Sequence, residues 1–209
     1  MVVDRRTRLG DARLYLVADR GGLAHALDGA LAGGADLVQL RDKHASDDEL
    51  LTAAENAREH CHAAGALFVL NDRPDLAAAC GADGVHVGQD DASVARARAT
   101  VGDDAIVGLS THSIEQARAG ATSGADYIAV GPVHATPTKQ GRPAIGLEPI
   151  RYAAEHVDLP WFAIGGIDRD TVGDVAAAGA TRVVVVRAVA GADDPEAAAR
   201  ALRQAVTRG

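Results

Sequence analysis

Ser123-Gly124-Ala125-Asp126-Tyr127-Ile128-Ala129-Val130 ends a helical pattern on glycine and passes straight into an apolar run. Glycine there supplies the left-handed residue on which helices commonly terminate. The phrase returns as Gly33-Gly34-Ala35-Asp36, as Cys80-Gly81-Ala82-Asp83 and as Ala178-Gly179-Ala180-Thr181, each time ahead of another apolar run. Working outward, short apolar stretches predict strands over 14–18, 37–40, 67–70, 84–87, 106–109, 127–130, 161–164 and 183–186. Helical patterns alternate with them over 25–32, 48–64, 75–80, 93–100, 114–123, 148–156, 171–178 and 195–206. Ser46 with Glu49 reads as a capping box, Ser113 and Asp170 stand where N-caps belong, and Pro195 suits a first helical turn.

Eight βα units with right-handed crossovers predict the α/β class and one closed (β/α)8 TIM barrel over residues 1–209, with 1–12 an N-terminal extension. An open doubly wound sheet is the rival, but the first strand–helix turn, Ala18-Asp19-Arg20-Gly21-Gly22, lacks the GxGxxG pattern. An apolar content of 47% with 3% aromatic residues implies a core of Ala, Val, Leu and Ile, as suits parallel strands under alanine-rich helices. With 29 acidic against 21 basic residues, no basic stripe is left to track a nucleic-acid backbone. No apolar run approaches a membrane span, and Val2-Val3-Asp4-Arg5-Arg6 has no apolar segment behind its charges, so a soluble cytoplasmic protein is expected. Cys61 and Cys80 lack metal-ligand spacing and read as buried, reduced thiols.

In such a barrel the chemistry belongs at the C-terminal strand ends. After the second strand, Gln39, Arg41 and Lys43 alternate onto one face and make an anion clamp, while Val38 and Leu40 point to the helices. Asn71-Asp72 follows the third strand and His86-Val87-Gly88-Gln89-Asp90-Asp91 ends the fourth. Two carboxylates from neighbouring strand ends suit Mg²⁺, which takes one or two and completes its shell with water and phosphate. Asp72 and Asp91 serve equally well as helix caps when taken singly. His86 reads as a hydrogen-bonded structural histidine. Ser110 emerges after the fifth strand with no His–Asp pair to make it a nucleophile, so it reads as a phosphate-binding hydroxyl. Gly165-Gly166 after the seventh strand, with the N–H groups near Val186 and Arg187 after the eighth, match the usual barrel phosphate site. The stretch from Gly131 to Pro143 carries two glycines, three prolines, Thr136, Thr138, Lys139 and Arg142 but no acid. It reads as a flap over an anionic ligand.

With these phrases in place, the chain resembles the thiamine phosphate synthase (thiamine-phosphate pyrophosphorylase) family. The likeness runs from Tyr15 to about Pro195. It rests on Gln39-Leu40-Arg41-Asp42-Lys43, Asn71-Asp72-Arg73, Gly84 to Asp91, Gly108-Leu109-Ser110, Gly131-Pro132, Thr136-Pro137-Thr138-Lys139 and Ile164-Gly165-Gly166-Ile167. It implies an alkyl transferase that joins 4-amino-2-methyl-5-(diphosphomethyl)pyrimidine to 4-methyl-5-(2-phosphoethyl)thiazole, or its carboxylated form, giving thiamine phosphate and diphosphate.

By that resemblance Arg41, Lys43, Lys139 and Ser110 act at the reacting centre. Gln39, Leu40, Asp42 and Asn71 lie along the pyrimidine diphosphate. Thr136, Pro137, Thr138, Gly166, Val186 and Arg187 serve the thiazole phosphate, and Asp72 and Asp91 hold Mg²⁺. Arg187 departs from the family, which often has Ser there. The rivals are the related thiazole tautomerase, which needs no diphosphate apparatus, and a non-catalytic phosphate-binding protein. The predicted helix over 48–64 fits packing on the barrel and a subunit contact equally well, which leaves a homo-oligomer open.

Overall fold

The computed structural model describes residues 4–136 and 143–207. Eight parallel strands close in sequence order, each pairing with the next and the first with the last. They are β1 (Leu14–Ala18), β2 (Leu37–Leu40), β3 (Leu67–Asn71), β4 (Gly84–Val87), β5 (Ile106–Thr111), β6 (Tyr127–Val130), β7 (Trp161–Ile164) and β8 (Val183–Val185). Around them lie α1 (Arg5–Asp11), α2 (Arg20–Ala32), α3 (Asp47–Ala63), α4 (Pro74–Ala79), α5 (Val94–Val101), α6 (Ile114–Ala121), α7 (Glu148–His156), α8 (Val172–Ala177), α9 (Arg187–Ala190) and α10 (Pro195–Thr207). No helix among the described residues is long and apolar enough to cross a membrane.

Alternation along each strand divides the core in two. Outward residues such as Leu16, Val38, Leu40, Val85 and Ile128 meet the helices, including Leu50, Ala54, Ala57 and Cys61 on the inner face of α3. Inward residues such as Tyr15, Leu37, Val69, Ile106, Tyr127 and Phe162 fill the barrel itself. The Tyr127 ring fits because position 108 is glycine: a Cβ there would stand 2.1 Å from the Tyr127 ring carbon Cζ.

The recurring glycine phrases do two things. Gly34, Gly81, Gly124 and Gly179 all have positive φ and turn the chain out of a helix. The aspartates behind the first three then fix the start of the preceding strand. Asp36 accepts the N–H groups of Arg13 and Leu14 at 2.8 and 3.1 Å, Asp83 that of Phe68 at 2.9 Å, and Asp126 that of Val107 at 2.7 Å.

The segment expected to be an extension is a helix. Asp4 caps α1, and its Leu9 is buried against inward residues of the barrel. Arg5 pairs with Asp83 at 2.9 Å and Arg6 with Asp126 at 2.7 Å. The helix therefore stands at the N-terminal strand ends, where those aspartates sit, opposite the chemical end.

Other boundaries differ for local reasons. α2 begins at Arg20, not 25, because Asp19 accepts the Gly22 N–H at 2.8 Å and carries the helix through Gly21 and Gly22. Asp170 is no cap. Thr171 holds that place, and the Asp168 carboxylate accepts the N–H groups of Asp170 and Thr171 at 3.0 Å each. Ser46 forms its capping box with Glu49, and Ser93 and Ser113 cap α5 and α6.

Candidate active site

The C-terminal strand ends enclose a cavity of about 330 Å³. Gln39 and Arg41 line it from β2 and the turn beyond, Asn71 from β3, Ser110 from β5, and Thr136 from the loop after β6. Gly166 lines it after β7, and Val186 and Arg187 after β8. These eight predicted residues come from six separate turns or strand ends of the chain and converge on one space.

The other predicted residues are placed differently. Leu40 faces the helices and is fully buried there, so its side chain cannot meet a ligand. Asp42 turns to Arg20, whose Nε donates to it at 2.9 Å. Lys43 does not continue the inward face of Gln39 and Arg41, because β2 ends at Leu40 and strand alternation ends with it. Its Nζ lies instead 3.4 Å from Asp72 Oδ2, on the rim. Pro137, Thr138 and Lys139 lie outside the described residues, as does Arg142.

Asp72 is the one non-glycine described residue with positive φ, at 61°, and its N–H is held at 2.8 Å by the His86 carbonyl. A side chain in that region costs about 1 kcal/mol or more and is retained where its surroundings enforce it. The turn aims the Asp72 carboxylate at Asp91. Burial, and then Asp91 itself through hydrogen bonding and like charge, raise the Asp72 carboxyl above its ordinary range, while Lys43 opposes them. Asp91 Oδ2 also accepts the Gly88 N–H at 2.8 Å. Neither residue caps a helix: α4 has no side-chain cap and Ser93 caps α5.

Two carboxylates forced together at the mouth are the donor set that a divalent oxygen-seeking cation would relieve. Among the described residues no group of three or more acids, histidines or cysteines forms a cage. The donors therefore fit a hydrated ion such as Mg²⁺, and not one held wholly by protein.

Across the cavity, Gly165 and Gly166 have φ of 106° and 64°. A Cβ on Gly166 would lie 2.7 Å from the His134 Cβ. The Gly166 carbonyl accepts from the Thr171 hydroxyl at 3.0 Å, while its N–H donates to no described residue. Asp168 also lines this side. Burial would push its carboxyl up, but hydrogen bonds from Thr171 and Asp170 and the nearby His134 hold it below its ordinary range.

Among the described lining residues, four with polar side chains escaped the prediction as ligand contacts: Tyr15, His86, His112 and Asp168. Tyr15 and His86 were signalled by their inward strand register, which the sequence offers equally to core residues. Asp168 had no signal, since it lies in an irregular turn.

The sequence profile described as "Thiamine monophosphate synthase" matches residues 14–189. The thiamine-phosphate synthase of Thermobifida fusca is 53% identical over 205 residues, covering 95% of this chain and 94% of that one. That of Saccharopolyspora erythraea is 52% identical over 210 residues, with 95% and 94% covered. The solved thiamine phosphate pyrophosphorylase from Pyrococcus furiosus superposes with a TM-score of 0.87 at 35% identity, covering 97% of this chain and 98% of its own. With profile, relatives and barrel in agreement from β1 to α9, the chain belongs to the thiamine monophosphate synthase family.

Proposed function

We propose that this mouth joins 4-amino-2-methyl-5-(diphosphomethyl)pyrimidine to 4-methyl-5-(2-phosphoethyl)thiazole or its carboxylated form, releasing diphosphate and, from the carboxylated form, carbon dioxide as well. The observation that carries the reading is the meeting of Lys43, Asp72 and Asp91 at the end of the barrel whose cavity Arg41 lines, which gives cations and a pair of metal-seeking carboxylates at one end. Bound at Asp72 and Asp91, Mg²⁺ would neutralise charge on the departing diphosphate.

The hard step is breaking the bond between the pyrimidine methylene and the diphosphate oxygen. The ring amino group can delocalise the positive charge left behind, so the bond can break before the new one forms. Arg41, Lys43 and Lys139 hold the diphosphate and stabilise charge as it develops there, an effect worth several kcal/mol in a site shielded from water. Asn71, Gln39 and Ser110 hold the pyrimidine portion. The Gly166 N–H, Thr136 and the Val186–Arg187 turn hold the thiazole phosphate on the opposite side, and Thr138 is proposed to join them. The 131–143 stretch, of which 137–142 lie outside the described residues, would exclude water from the cation. The thiazole nitrogen is already a nucleophile and carries no proton to remove, so no strong base is needed.

A coupled assay for diphosphate release tests this. Release that requires both substrates and Mg²⁺ supports it. Isomerisation of a thiazole carboxylate without diphosphate release would favour the tautomerase reading, and tight binding without turnover would favour a binding protein.

A further inference from the structure

Along the floor of the cavity five side chains form one chain of hydrogen bonds across the barrel. Gln39 Nε2 donates to Tyr15 Oη. Tyr15 Oη lies 3.0 Å from Tyr127 Oη, Tyr127 Oη lies 3.0 Å from His86 Nδ1, and His86 Nε2 lies 2.9 Å from Ser110 Oγ. All five residues are buried. The two ends, Gln39 and Ser110, line the cavity, whereas Tyr127 in the middle does not. Edge-to-face contacts of Tyr15, Tyr127 and Phe162, with ring centroids 5.4 to 5.9 Å apart, fix both phenols.

With the Gln39 amide oriented so that Nε2 faces Tyr15, the direction of this chain follows from counting protons. A phenol has one. Because Tyr15 accepts from the Gln39 amide, its own proton goes to Tyr127. Tyr127 then gives its proton to His86 Nδ1, so the imidazole carries its hydrogen on Nε2 and donates to Ser110. The Ser110 proton is left to point into the cavity. At the other end the Gln39 carbonyl accepts from no described residue and is left as an acceptor. Burial holds both phenols well above their ordinary range, so neither loses the proton the chain needs.

We propose that Tyr15, Tyr127 and His86 form a one-way relay that couples Gln39 to Ser110, fixing the first as acceptor and the second as donor toward the pyrimidine. A ring edge that donates at one point and accepts at another, as an exocyclic amine beside a ring nitrogen does, meets both ends correctly. A 4-oxo ring, with its carbonyl and ring N–H, offers the reverse order and leaves two buried groups mismatched. Tyr127, below the cavity, and His86, on its floor, are thus positioning residues that set substrate choice through Gln39 and Ser110. The selectivity rests on the reading that a pyrimidine diphosphate occupies this cavity; the relay's direction does not.

Two measurements test it. In ligand-free protein with ¹⁵N-labelled histidine, His86 is expected as the Nε2–H tautomer, shifting toward Nδ1–H in Tyr127→Phe and in Tyr15→Phe. An Nδ1–H tautomer in the unmodified protein would overturn the relay. Separately, unreactive 4-amino and 4-oxo hydroxymethylpyrimidine monophosphates are compared as inhibitors, which removes the ring's own reactivity from the comparison. The unmodified protein is expected to prefer the amino compound by about a hundredfold, the scale of one site's mismatched hydrogen bonds. Tyr127→Phe is expected to reduce that preference about tenfold or more. An unchanged preference in a folded Tyr127→Phe protein would overturn the proposal. Failure of the unmodified protein to bind either compound would overturn the functional reading and the selectivity with it, while the tautomer remains an independent test of the relay.

Discussion

The Lys43 ammonium stands 3.4 Å from the Asp72 carboxylate, on the rim of the mouth and outside the cavity lining. The lysine side chain is more than half exposed. An exposed pair of this kind contributes about 1 kcal/mol or less to folding, so its stability value is small. In the proposed reaction it stands beside the leaving group, and its value there is in turnover. Lys43→Ala is expected to lower kcat/KM by about 10- to 100-fold while thermal unfolding changes little. Steady-state kinetics beside a melting curve check this, and parallel losses in both would place Lys43 in the scaffold instead.

Asp91 binds the Gly88 N–H through one oxygen and faces Asp72. Asn at this position keeps an acceptor for that N–H but removes the charge. Asp91→Asn is therefore expected to leave the turn intact and raise the Mg²⁺ concentration for half-maximal rate by about tenfold or more. A magnesium titration of diphosphate release decides it. An unchanged requirement would take Asp91 out of the ligand set.

Asp83 is buried and serves Arg5, His62 and the Phe68 N–H at once, each at 2.9 Å. Removing its carboxylate leaves those donors without it. Asp83→Ala is expected to cost about 3 kcal/mol or more, while kcat of the protein that remains folded is kept. Denaturant unfolding and an active-fraction measurement separate the two. Stability within about 0.5 kcal/mol of the unmodified protein would remove Asp83 as an anchor.

The Cys61 thiol is pushed from its ordinary 9.0 up to about 12, first by burial and then by the Asp83 charge. The fold thus favours the protonated thiol. Its contribution is complete below pH 9 and is lost as pH rises toward 12, where the unfolded chain gains more from ionising. Native protein at pH 8 is accordingly expected to resist iodoacetamide at Cys61, and denatured protein to react. Rapid native labelling would count against the buried thiol.

The barrel was legible because its two signals agree: alternating strand residues and a glycine–aspartate phrase that ends helices and starts strands. α1 was not. Arg5 to Asp11 contains one large apolar residue and a glycine, and its helix is held by Asp83 and Asp126, more than seventy positions away in sequence. α2 was read short because Gly21 and Gly22 argue against helix unless Asp19 caps it. In the candidate site, alternation correctly set Gln39 and Arg41 on one face but misled for Lys43, since the rule holds only while the chain remains a strand. The meeting of Asp72 with Asp91 was legible as two acids on adjacent strand ends. The backbone turn that aims Asp72 was not, because a positive φ at a non-glycine residue has no sequence mark. Tyr127 was read only as a strand residue, for the partner that makes it more than filler, His86, belongs to another strand.

α1 packs over the N-terminal strand ends, and the proposed site lies at the opposite face. A surface tether or fused carrier attached ahead of residue 4 would therefore hang from the underside and leave the working face clear. Anchoring guest chemistry there is expected to cost the enzyme little, provided the linker spares Arg5 and Arg6, whose grip on Asp83 and Asp126 keeps that helix in place.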